Sequence, residues 1–143
     1  MSDDQQWWDD AAGFEELYET QVDNQRYWDP AVGHPQRTLT TVANEVMKQK
    51  QFLDDEVTEV LTAIGGELGK SAWKSWKSDH GKAAITPMAN LSRQEHDDLV
   101  GECADVMIFA MNIAIHCGID ARDLAKEIEL KQEENVERWN NQY

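Results

Sequence analysis

At 143 residues the chain is long enough to bury a real core and short for two domains. Its 28 acidic residues outweigh 13 basic ones, a net charge of −15, which argues against a nucleic-acid binder that works by neutralising phosphates. The same balance suits a solvated acidic surface, a DNA-mimicking decoy or a cation site.

The opening MSDDQQWW has neither a basic n-region nor an apolar h-region, so no secretory signal is expected. Residues 1–12 are acidic and Trp-bearing and read as loosely held. Phe14, Leu17, Tyr18 and Val22 recur at helical spacing and predict a helix from Phe14 to about Trp28. The stretch DPAVGHP, residues 29–35, must break it. A long helix follows from about Thr38 to Ile64, with Val42, Val46, Leu53, Val57, Val60 and Ile64 on one face. Gly65 and Gly66 weaken or end it. SAWKSWK suggests a short helix, and Ser78–Asn90, with Gly81 and Pro87, reads as loop. Ser92 with Glu95 three residues on forms a capping box that opens a helix to about Cys117. Gly118 stops it, Asp120 restarts the chain, and a last helix runs to about Trp139. No stretch alternates with a two-residue period, so the fold class is all-α, a bundle of four to five helices. Residues 1–35 form an acidic N-terminal arm with a helix, and 36–143 the main helical domain.

The helix opened by Ser92 is apolar on most sides and is expected to be packed on most sides. Its longest strongly apolar run, Val106–Ile115, is interrupted by Asn112 and reads as too short to cross a bilayer. Cys103 and Cys117 lie about 21 Å apart along it and cannot pair with each other. Two unpaired thiols suit a reducing cytoplasm.

A polar seam runs along this helix. At about 100° per residue, Asp98, Glu102, Asp105, Phe109, Asn112 and His116 fall within about 80° of one another. A buried carboxylate without a partner is costly, so the seam must face a cation, polar partners or a wet cleft. The long helix carries Glu56 and Glu59, three residues apart, with Phe52 and Ala63 at nearly the same angle. One E-x-x-E on an acidic helix is usually a solvated face. Two acid pairs on two helices, each beside a packing seam, would place four carboxylates together if the helices are neighbours. Their repulsion would need a counter-ion, and an all-oxygen donor set selects Mg²⁺ or Mn²⁺ over zinc. Such a cation neutralises phosphate charge and activates water. Cationic partners for phosphates are at hand in Lys74 and Lys77, interleaved with Trp73 and Trp76, and in Lys131, Asn135 and Arg138 on the last helix. Ordinary ion pairing with nearby glutamates is the plainer reading of the last cluster. GGELGKS, residues 65–71, looks like a phosphate-binding loop, but Ile64 stands where its first glycine belongs and a helix, not a strand, precedes it.

Taken in order, E-x-x-E (Glu56, Glu59), E-x-x-D (Glu102, Asp105) and K-x-x-x-N-x-x-R (Lys131, Asn135, Arg138) resemble the all-α nucleoside triphosphate pyrophosphohydrolases. That superfamily includes MazG-like enzymes and dimeric dUTPases. The resemblance covers roughly Thr38 to Trp139. It implies a MazG-like bundle whose residues 36–143 are catalytic, with divalent-metal-dependent attack of water at the α-phosphorus of a deoxynucleoside triphosphate, giving the monophosphate and pyrophosphate. It implies Glu56, Glu59, Glu102 and Asp105 as catalytic metal ligands for Mg²⁺ or Mn²⁺. Lys131, Asn135 and Arg138, assisted by Lys74 and Lys77, would hold the phosphates. Trp76, Phe109 and Asn112 would lie near the base or sugar, and Phe109 would disfavour a ribose 2′-hydroxyl. The spacing between Glu59 and Trp73 departs from the family, with GGELG resembling an insertion. The pattern is most similar to phage enzymes that act on purine substrates, dGTP and often dATP, with a dUTPase as the alternative. A noncatalytic DNA mimic or adaptor is the alternative of another class. Exposed apolar flanks on a core of few helices predict self-association, and the family implies a homodimer or homotetramer. The resemblance places such a protein in the cytoplasm, of the host if phage-encoded, with no direct nucleic-acid or membrane partner.

Overall fold

The computed structural model describes the backbone of residues 3–65 and 88–142 and the side chains of 13–64 and 88–141. Among these residues there are four α-helices and no strand, so the fold is all-α. They are α1 (Asp3–Trp28), α2 (Leu39–Gly65), α3 (Arg93–His116) and α4 (Ala121–Gln142), with a single 3₁₀ turn at Met88–Asn90. The short helix expected at SAWKSWK lies outside the described residues, as do Lys74, Trp76 and Lys77. One boundary differs from expectation: α1 begins at Asp3, not Phe14.

Each later helix starts on a side-chain cap. Thr38 Oγ1 accepts from the amide of Thr41 at 3.2 Å, and Asp120 Oδ1 from the amide of Asp123 at 2.8 Å. At α3 the capping box is complete: the Glu95 amide donates to Ser92 Oγ, and the Ser92 amide to Glu95 Oε1, both at 3.1 Å. The end of α3 is a Schellman motif. The Gly118 amide donates to Ile115 O and the Ile119 amide to Ala114 O, and Gly118 takes φ +74°.

The chain forms two compact units. The first comprises residues 1–45 and 111–143, with α1 packed on α4 and a core of Tyr18, Val22, Val32, Ala114, Ile115 and Ala121. The Tyr18 hydroxyl donates to Ile119 O at 2.5 Å. Burial, then the charges of Glu19 and Asp120, push its pKa up to about 12, so it stays a donor across the physiological range. Backbones meet directly at Gly33, also at φ +74°: a Cβ there would lie 3.1 Å from Ile115 O, and one at Gly118 would lie 3.1 Å from Gly33 O. The turn that brings Gly33 in is tied by the Asp29 carboxylate, which accepts from the Ala31 amide at 3.1 Å and sits 3.7 Å from the Arg37 guanidinium.

The second unit, residues 46–110, holds most of α2 and the first half of α3. Phe52 meets Phe109 and Glu56 meets Asp105, so the two helices run in opposite directions. That α2 continues to Gly65 agrees with rejecting GGELGKS as a phosphate loop, which requires a strand before it.

One expectation about α3 needs correction. The helix is not packed on most sides: only Asn112, Ala114, Ile115 and His116 are buried, while Met107 is 60 % exposed. The described helices are too few to cover it. One 18-residue window of α3, with a mean hydropathy of 1.5, is long and apolar enough by length and composition alone to cross a membrane. Core helices of soluble proteins meet the same criterion, and Glu102 and Asp105, turned toward a third carboxylate, would be expensive in hydrocarbon. Cys103 and Cys117 are free and exposed, as expected.

Candidate functional site

Carboxylate oxygens of Glu56, Glu102 and Asp105 lie within 4.8 Å of one another, all inside the second unit. Helix periodicity explains the arrangement. Three residues separate Glu102 from Asp105, which puts both on one face of α3, and α2 presents Glu56 opposite them. Glu56 and Glu102 are half-buried. Burial, followed by the charges of Asp105, Glu102, Glu59 and Asp55, raises the pKa of Glu56 above the ordinary glutamate range. Three carboxylate donors, one of them with its pKa raised by burial and by its neighbours' charge, fit a hard divalent cation. A cation held there would offset their mutual repulsion. Among the described residues the cluster contains neither sulfur nor imidazole, a donor set that suits a hard cation better than zinc.

Glu59, the fourth expected acid, is not in the tight cluster. It lines an adjoining hollow of about 530 Å³ together with Glu102 and Asp105, and with Thr62, Glu95 and Asp98 among others. Glu95 there is already engaged in capping α3. Thr62 turns its hydroxyl back to Thr58 O at 3.0 Å.

The remaining expected residues have separate settings. The Phe109 ring packs against Phe52, centroids 5.6 Å apart and planes tilted by 43°. Asn112 is buried in the first unit, where its Oδ1 accepts from Gln21 Nε2 at 2.7 Å. Lys131, Asn135 and Arg138 are exposed on α4, with Lys131 3.7 Å from Glu127. The pairing of Lys131 with a glutamate one turn away is the plainer alternative named for that cluster, and at this exposure it is worth little. Lys74, Trp76 and Lys77 lie outside the described residues.

Thus the seam on α3 has two fates. Its N-terminal half faces Glu56 of α2, and its C-terminal half faces α1. Besides Asn112 on Gln21, His116 Nε2 lies 3.2 Å from Gln25 Oε1, while its Nδ1 is buried without a hydrogen-bond partner. Burial first, then the nearby Arg37 guanidinium, lowers the pKa of His116, against an upward pull from Glu45 and Asp29. Tyr18, Gln21 and Gln25 therefore read a single stripe of α1 against residues 112–119. Sequence reasoning assigned α1 no such role. The signal was there in the helical spacing of Tyr18, Gln21 and Gln25, two of them amides placed where a core stripe would be apolar.

No family model matches the chain, and no solved structure matches it. The chain is similar to the dCTP pyrophosphatase of Enterobacteria phage T4, with 32 % identity over 111 residues, 74 % of this chain and 65 % of that protein. It is 29 % identical over 100 residues to the dCTP pyrophosphatase of Enterobacteria phage LZ5, 66 % of this chain and 58 % of that protein. It is also 30 % identical over 99 residues to a DNA replication protein of phage T4, 66 % of this chain and 25 % of that protein. The chain thus spans less than two thirds of the length of each of these relatives.

Proposed function

We propose that the chain hydrolyses deoxynucleoside triphosphates to the monophosphate and pyrophosphate with the aid of Mg²⁺ or Mn²⁺. The convergence of Glu56, Glu102 and Asp105 within 4.8 Å carries the reading. The likeness to phage dCTP pyrophosphatases supports the reaction class. Glu56, Glu102 and Asp105 would hold the cation, with Glu59 joining from the adjoining hollow. A cation held there would offset the negative charge of the triphosphate. Glu59, outside the tight cluster, is then the carboxylate best placed to orient water and take its proton as it attacks the α-phosphorus. Lys131, Asn135 and Arg138, with Lys74, Trp76 and Lys77, are the proposed phosphate and base contacts, and Phe109 and Asn112 the proposed sugar contacts.

For the base, the relatives' names favour dCTP. The purine preference, dGTP and then dATP, rests on the resemblance alone and is the second reading; dUTP is the third. The catalytic domain is proposed to be residues 36–143, acting in the host cytoplasm on free nucleotides, with no nucleic-acid or membrane partner. The proposed assembly is a homodimer or homotetramer, because large apolar side chains such as Met107, Leu130 and Trp139 stay more than half exposed in the single chain.

Pyrophosphate release from each deoxynucleoside and ribonucleoside triphosphate, with and without Mn²⁺, tests this directly. The expected result is metal-dependent release from deoxynucleotides, fastest with dCTP, and loss of turnover to background in Glu102→Ala while the helical circular dichroism spectrum is kept. Release from no nucleotide, or an active Glu102→Ala protein, would replace the reading with that of a noncatalytic acidic protein.

A further inference from the structure

Two nitrogens in the first unit are buried without a partner. His116 is 4 % exposed and the Arg37 side chain 9 %, yet neither His116 Nδ1 nor Arg37 Nη1 makes a hydrogen bond. Buried nitrogens are nearly always satisfied, because a bare one forfeits its hydration for nothing. Each side chain is held from its other side. His116 Nε2 lies 3.2 Å from Gln25 Oε1, and Arg37 Nη2 lies 3.7 Å from Asp29 Oδ2. An amide oxygen only accepts, so Nε2 carries the imidazole proton and Nδ1 of the neutral ring is left as an acceptor. Arg37 Nη1 can only donate. A direct bond between the two would satisfy both at once, and it is not made. The charge of Arg37 nevertheless acts on His116, so the two groups belong to one cluster.

We propose that Arg37 Nη1 and His116 Nδ1 are the two walls of a buried site for one small neutral molecule that both accepts and donates, a water. A water there accepts from the guanidinium and donates to the imidazole. An anion offers acceptors alone and would leave Nδ1 unanswered unless the ring were protonated. The carboxylates of Asp29 and Glu45, the other charged groups acting on this ring, also oppose an anion. The site joins three pieces of the unit: α1 through Gln25, the turn at 29–37 through Arg37 and Asp29, and the end of α3 through His116.

Two measurements on the wild-type chain test this. In two-bond ¹H–¹⁵N correlation spectra at neutral pH, His116 should show a protonated Nε2 and an unprotonated, hydrogen-bonded Nδ1. A protonated Nδ1 overturns the assignment. Crystals grown with bromide as the only halide should show a water-sized peak within hydrogen-bond reach of both nitrogens. Anomalous scattering from bromide at that point would make it an anion site. A peak that touches one nitrogen alone, or no peak, also ends the proposal. The variants Arg37→Met and His116→Phe, alone and together, give a check in solution. Each single change strands the water's other partner, whereas the double change removes both. The double variant should therefore lose less in urea midpoint than the two single losses combined, and additive losses overturn the shared site. If a variant does not fold, the spectra and the bromide crystals of the wild type decide.

Discussion

Glu56 shows how one carboxyl reports on its neighbours. Its pKa is raised in the folded chain, so between the unfolded value and the folded one the native state binds more protons. Metal-free stability therefore falls as pH rises through that interval. Glu56→Gln removes the repulsion and should raise the metal-free melting temperature at neutral pH by about 2 °C, while abolishing the stabilisation that Mn²⁺ gives the wild type. Scanning calorimetry with and without Mn²⁺ reads both effects, and a variant less stable than wild type in the absence of metal would contradict the repulsion argument. His116 runs the other way. Its pKa is lowered by burial and by Arg37, so below the ordinary histidine value of about 6.5 the unfolded chain binds more protons. Stability should drop as pH falls from there toward 5, and His116→Gln should flatten that part of the curve, as read from urea midpoints across pH. The acids on α2 and α3 were legible as spacing alone. That His116 and Asn112 answer to α1 was not, because no periodicity states which helix a seam will face.

The ends of the elements were largely legible, since caps are local chemistry. Ser92 with Glu95 was identifiable from two residue types at fixed spacing, and the structure closes both hydrogen bonds. Gly118 was identifiable as a stop, and it takes the positive φ of a Schellman cap. Gly118→Ala should cost about 1–2 kcal/mol from the left-handed backbone alone, more if Gly33 cannot shift from the 3.1 Å contact. Chemical denaturation measures this, and a neutral substitution would show that the loop relaxes freely. The start of α1 was missed because the acidic charge of residues 1–12 was given more weight than their spacing, in which Trp7 and Ala11 continue the helical series of Phe14 and Tyr18.

At the scale of the molecule, composition gave the acidic balance and residue periodicity the all-α class, and the described residues are helical. That α3 would be packed on most sides was misjudged. An apolar helix in a sequence records that something covers it, not that the same chain does. Val100 and Met107 on α3, and Ile128, Leu130, Val136 and Trp139 on α4, are all more than two fifths exposed. Sedimentation at micromolar concentration should therefore give a mass that is a multiple of 16.4 kDa, and Met107→Glu should shift it toward the single chain. A wild-type monomer under these conditions would refute the expectation of a homo-oligomer.

The crossing of Gly33 and Gly118 carries a consequence for anyone diversifying this protein. Each position is closed by a carbonyl rather than by a movable side chain, and the two close each other. Compensation by trimming a neighbour is thus denied to both. A saturation library should show near-blank columns at 33 and 118 beside a tolerant column at the exposed Ile119, and a double substitution should not rescue either single one.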